Sequence, residues 1–206
     1  MREYHVRICE GLRGKFPGST RLVVHCSSEE KAKQTLEKIR ERMKGCKLEL
    51  HPEKTKIVYC KQFNRRGKHP NVGFDFLGFN FKPRKSKSKE GKYYLGFGPA
   101  ISTNAKKQIV KEIKQFKIHR ATNAELQELA DKLSPSLRGW INYYGKFRKW
   151  ELQRVFRVLN DRLVKWIMNK HRNLRDQKTK ARLRLKQIAK DYPNLFVHWQ
   201  YGFYPG

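Results

Sequence analysis

Acidic residues are scarce in this chain of 206 residues: 18 Asp and Glu stand against 48 Lys and Arg, for a formal net charge of +30. A chain that repels itself this strongly is stabilised beside a polyanion, so nucleic acid leads as partner and an anionic membrane surface trails far behind. Long apolar runs are also missing, which excludes a membrane span, and the N-terminus lacks a signal-peptide pattern. A soluble, cytoplasmic protein is expected. Cysteine is sparse: Cys9, Cys26, Cys46 and Cys60 show no C-x-x-C spacing and have no histidine pair at zinc-finger distance. That excludes a zinc module and leaves free thiols suited to a reducing compartment.

Apolar content is ordinary, and the length allows one large or two small domains with a real core. Residues 1–20 show no period, and Gly11, Gly14, Pro17 and Gly18 interrupt them too often for a regular element. An irregular lead-in is expected there. The β-branched run Arg21–Cys26 predicts a strand. Ser28 then caps a helix carrying Ala32, Leu36, Ile39 and Met43 at helical spacing and ending near Gly45. Leu48 and Leu50 alternate with polar residues as a strand would, a turn follows at Pro52, and Ile57–Cys60 reads as another strand. Farther on, Phe79–Phe81 and Tyr93–Phe97 flank the cationic stretch Lys82–Lys92, which predicts a hairpin with a basic, flexible tip. A shorter basic loop runs from Asn64 to His69. Asp75, alone among apolar neighbours, reads as structural or solvent-facing.

A break at Pro99–Ser102 is the expected domain boundary, because beyond it the apolar period changes from two to about 3.6. Ile109, Ile113 and Phe116 line a first helix. Thr122–Glu125 resembles a capping box before a second apolar face of Leu126, Leu129, Ala130 and Leu133. At Ser134-Pro135 a third helix is expected, with Ser134 as cap and Pro135 in the first turn, and with Leu137, Trp140, Ile141 and Tyr144 on its apolar side. A longer helix after Phe147 buries Leu152, Val155, Phe156, Leu159, Leu163, Trp166 and Ile167. The densely cationic stretch Lys165–Lys190 follows, with Leu183, Leu185 and Ile188 as its apolar anchors. The predicted class is α+β: a small antiparallel sheet with one helix, followed by an all-α bundle.

The wording of Pro135-Ser-Leu-Arg-Gly-Trp-Ile-Asn-Tyr-Tyr144 resembles the opening of the maturase-specific region, or thumb, of group II intron reverse transcriptases. Three upstream segments agree in order and spacing with the palm of that family: Leu22–His25, Leu48–Lys56 with its Glu53-Lys54-Thr55-Lys56, and Phe74-Asp-Phe-Leu-Gly-Phe79. The resemblance implies a palm remnant at 21–98 and a maturase-specific helical domain at 99–206. It also implies a departure from the family. The Tyr-Ala-Asp-Asp motif that holds Mg²⁺ would fall at Gly18–Arg21, where a hydroxyl and a guanidinium cannot replace two carboxylates. No catalytic residue, no metal and no cofactor is therefore expected, Mg²⁺ being needed only by an intact polymerase site. The Cys and His motifs of the endonuclease domain carried by some relatives are not expected either.

The expected function is binding of structured RNA resembling a group II intron, with assistance to splicing, and RNA/DNA duplex as a further ligand. Oligomeric state stays open. Cations would neutralise phosphates and aromatic rings would stack on unpaired bases. The candidates are Lys82, Arg84 and Lys85 in the hairpin; Arg138, Trp140, Asn142, Tyr143, Tyr144, Lys146 and Arg148 around the Pro135 helix; and Arg172, Arg175, Arg182 and Lys186 in the cationic stretch. The competing readings are a split reverse transcriptase whose carboxylates come from another chain, and a decayed remnant that binds nucleic acid without specificity.

Overall fold

The computed structural model describes residues 4–9, 21–63 and 69–206. The chain divides into two compact units, Met1–Pro99 and Ala100–Gly206. The class is α+β, with the strands in the first unit and helices filling the second.

The first unit holds two three-stranded sheets. In one, β1 (Tyr4–Cys9) lies between β2 (Arg21–Cys26) and β3 (Lys56–Tyr59), antiparallel to both, with Val6 opposite Val24 and Ile57. Its central strand thus stands inside the segment expected to be an irregular lead-in; the rest of that segment, with Gly11, Gly14, Pro17 and Gly18, lies outside the described residues. Helix α1 (Glu29–Gly45) is capped by Ser28, whose Oγ accepts the Lys31 N–H at 3.2 Å, and Glu29 and Glu30 favour the positive helix start. Ala32, Leu36 and Ile39 pack it against Cys26, Tyr59 and Ile57. Leu48–Leu50 is not a strand: Leu48 bonds back to the Met43 carbonyl and Leu50 joins the same small core.

In the second sheet the order is β4 (Phe74–Phe76), β5 (Phe79–Lys87), β6 (Tyr93–Ile101). Leu77 and Gly78, both at positive φ, make the two-residue turn between β4 and β5, and Phe74 stacks on its register partner Phe81 at 4.9 Å. Most of the basic stretch expected at a flexible tip is therefore strand. Only Ser88–Lys92 forms the turn, closed by the Ser88 N–H on the Lys92 carbonyl. Pro83 lies beyond Phe81, the last β5 residue paired with β4, where its missing N–H costs no bond to that strand. Pro99, the expected break, lies inside β6.

In the second unit Ser102 caps α2 (Thr103–Gln115), its Oγ accepting the Ala105 N–H at 3.1 Å. The next helix, α3, runs unbroken from Leu126 to Tyr144. Its capping box joins Glu125 and Glu128, not Thr122 and Glu125, and Pro135 sits in its interior. The expected helix start at Ser134 is thus a mid-helix position. Ser134 Oγ donates to the Ala130 carbonyl at 2.7 Å, an in-helix use of a hydroxyl that also serves as a cap elsewhere. Continuity comes from the apolar phase: Leu129, Ala130, Leu133, Leu137 and Ile141 are all buried on one face, with Leu126, Trp140 and Tyr144 packed at its margins. Burial of that face outweighs the ~3 kcal/mol that an interior proline costs. Pro135→Ala should accordingly raise the unfolding free energy by about 1–2 kcal/mol in urea denaturation. A small loss would instead mark Pro135 as a first-turn residue.

Helix α4 (Gln153–Lys170) is the centre of the bundle, burying Val155, Phe156, Leu159, Leu163, Val164, Trp166 and Ile167. Trp166 Nε1 donates to the Ala121 carbonyl at 2.7 Å and Asn169 Nδ2 to the His119 carbonyl at 2.6 Å, fixing the turn before α3 to α4. Helix α5 (Lys178–Asp191) rests on a seam of Ala181, Leu185 and Ala189. Leu183, expected as an anchor, is 60% exposed because it lies two residues away from Ala181 and Leu185, off that seam. The short α6 (Val197–Gln200) closes the core with Trp199, next to Phe196.

Candidate nucleic-acid interface

The outward faces of the helical unit carry cations in three places. On α2, Lys107, Lys111 and Lys114 recur at helical spacing and are exposed. With Lys106 and with Arg154 of α4 they line a groove of about 380 Å³ floored by Val110 and Val155. Lys106 is tied to Glu151 at 2.5 Å, a half-buried pair that positions it. None of these residues was among the sequence candidates. Their signal lies in the polar positions of the α2 pattern, which apolar spacing alone does not reveal.

The second place is the outer strip of α3 and the turn that follows. Arg138 and Asn142 are exposed one turn apart, and Lys146 is exposed beyond the helix end. Tyr143 is half-exposed and meets Tyr144 edge-on at 4.8 Å. Burial, then Tyr143 and Glu112, push the Tyr144 hydroxyl pKa up. Trp140 packs against the core with much of its ring covered. The open ring is Trp150, 65% exposed, with the Arg148 guanidinium 5.5 Å from its centroid. Lys149 lies over Tyr201 at 5.3 Å and Phe203 at 5.5 Å. Trp150 carries no signal in the sequence because it follows a turn and belongs to no apolar period.

The third is α5 with the turn before it. Arg172 and Arg175 are exposed, as are Lys178, Lys180, Arg182, Arg184, Lys186 and Lys190. Arg182 reaches Asp161 at 3.3 Å on the surface, a pair worth little in water. Lys170, by contrast, serves the fold: its Nζ bonds Glu125 at 2.6 Å and the Ala124 carbonyl at 2.9 Å, and lies 5.1 Å from the Trp166 ring centroid. Two histidines register the local field. Burial comes first for both, and then nearby cations lower their pKa values: Arg162, Arg120 and Lys165 for His119, Arg184 and Lys170 for His171.

In the first unit Lys82 and Lys85 are exposed on β5. Arg84 is half-buried along β5, donating to the Asn80 carbonyl oxygen at 3.2 Å and to Asn80 Oδ1 at 3.0 Å, while Asn80 Nδ2 donates to Asp75 at 2.6 Å. Asp75 has a structural partner. Of the basic loop Asn64–His69, residues 64–68 lie outside the described residues, as do Gly18, Ser19 and Thr20. Among the described residues no three His, Cys, Asp or Glu side chains are grouped to hold a metal ion, and no helix is long and apolar enough to cross a membrane.

The helical unit thus presents exposed cations beside open aromatic rings, a surface whose charge complements a polyanion. Comparison with protein families is more specific: residues 106–185 match the model of the group II intron maturase-specific domain. The match begins in α2 and ends at Leu185 in α5, so it spans all three cationic places in part or whole. No curated protein and no solved structure matches the chain.

Proposed function

We propose that the chain is a maturase-type protein that binds structured RNA of the group II intron kind and assists its splicing by favouring the active RNA fold. The observation that carries this is the coincidence of the matched segment, residues 106–185, with the exposed cations of α2, α3 and α5. Binding energy alone does the work. Lys and Arg neutralise phosphates and release counterions, and a protein shifts an RNA equilibrium only as far as it binds one fold better than the others.

In this reading residues 21–98 are the remnant of a reverse transcriptase palm, RNA/DNA duplex is a second ligand, and the chain does not polymerise by itself. Gly18–Arg21 offers no carboxylate where the family's metal-binding pair would stand. This reading places its action in the cytoplasm. The test is affinity for a group II intron RNA against an unrelated folded RNA of equal length across a salt series. Preference for the intron that persists as salt rises is the expected result. Equal affinities that vanish together would reduce the protein to a nonspecific polyanion binder.

A further inference from the structure

Beside α5, Pro193, Tyr204 and Pro205 border a groove of about 650 Å³ whose apolar lining the exposed cations alone do not account for. Leu183, Pro193, Tyr204 and Pro205 line it with apolar surface, and the exposed Lys186 and Lys190 line it as well. The volume lies within the range of small-ligand sites. Leu183 is 60% exposed and Tyr204 46%, so the groove is open to solvent. A purely apolar partner would leave these two cations without counter-charge. A purely anionic one would leave the ring, the prolines and the leucine uncovered. An unpaired nucleotide satisfies both, because its base has an apolar face and its phosphates carry the charge.

We propose that this groove takes one unpaired nucleobase of a bound RNA, stacked against Tyr204 and packed on Leu183, with the flanking phosphates on Lys186 and Lys190. Lys186 and Lys190 are one helical turn apart, so they track a strand running along α5. The proposal rests on the RNA-binding reading given above and adds to it a subsite for single-stranded RNA.

The test compares a single-stranded RNA of about eight nucleotides with an abasic strand of the same length, both binding the full chain, by fluorescence anisotropy. The expected result is about tenfold weaker binding of the abasic strand, the size of one lost stack. Tyr204→Ala should bind both strands alike, Tyr204→Phe should keep the difference, and duplex RNA affinity should stay unchanged in both variants. Leu183→Ser repeats the comparison at an exposed position should Tyr204→Ala lose its cooperative thermal transition. If both Tyr204→Ala and Leu183→Ser keep the preference for bases, the base is read elsewhere and the groove belongs to a different occupant, such as an apolar peptide segment. If the unaltered chain binds duplex and intron RNA but holds both short strands equally, the subsite falls and RNA binding stands. If it binds no RNA at all, both readings fall.

Discussion

Asn160→Leu should lower the unfolding free energy of the helical unit by about 3–5 kcal/mol, enough to use up much of a domain's margin. The side chain is 5% exposed and ties together three groups that water cannot reach. Its Oδ1 accepts from Trp199 Nε1 at 3.1 Å and from His198 Nε2 at 2.9 Å, while its Nδ2 donates to the Phe203 carbonyl at 3.1 Å. Indole nitrogen is only ever a donor, so the amide orientation is forced, and His198 must carry its proton on Nε2. Leucine matches asparagine in shape but strands all of these partners. Urea denaturation followed by tryptophan fluorescence measures the loss, and a change below about 1 kcal/mol would show that the network contributes little.

The same network sets an acid limit. Burial lowers the His198 pKa to about 3, and its Nδ1 is buried without a hydrogen-bond partner. The folded-state pKa therefore lies below the ordinary value of 6.5, and the unfolded chain takes the proton first. The contribution is complete above pH 6.5 and declines as pH falls from there toward about 3, at up to about 1 kcal/mol per pH unit.

The second large effect concerns the interface. Replacing Lys107, Lys111, Lys114 and Arg154 together by glutamine should weaken RNA binding about a hundredfold near 0.1 M salt. The slope of log affinity against log salt should become shallower by about 3, one counterion or slightly less for each lost contact. Lys106 stays unchanged in this variant because it holds Glu151. All four replaced side chains are exposed, so the thermal transition should hardly move. An unaltered slope would remove the α2 groove from the RNA path.

Much of the fold is legible in the sequence where period and punctuation agree. Ser28 and Gly45 bracket α1, and the buried positions of α4 follow from spacing alone. Legibility ends where one local pattern serves two structures. Ser134-Pro135 reads the same at a helix start and inside a helix, and only the unbroken apolar phase from Leu126 to Tyr144 decides between them. Tyr4–Cys9 lies in a stretch crowded with glycine, and its role as a central strand depends on partners far along the chain. Lys82–Lys87 has poor strand propensity and is held extended by β6. The site divides likewise. Cationic stretches are visible as composition, whereas the exposure of Trp150, the cover over Trp140 and the bonding of Arg84 to Asn80 are set by packing.

The seam of α5 consists of Ala181, Leu185 and Ala189, and nearly every other position of that helix faces water. Folding and charge are thereby encoded by different letters of one segment. Substitutions at Lys178, Lys180, Arg184 or Lys190 can drift without risk to the core, so under the proposed RNA-binding role a partner that changes over generations can be followed by adjusting this helix alone. The same separation makes α5 a dial for an engineer, who can raise or lower affinity in single-charge steps while the scaffold stays the same.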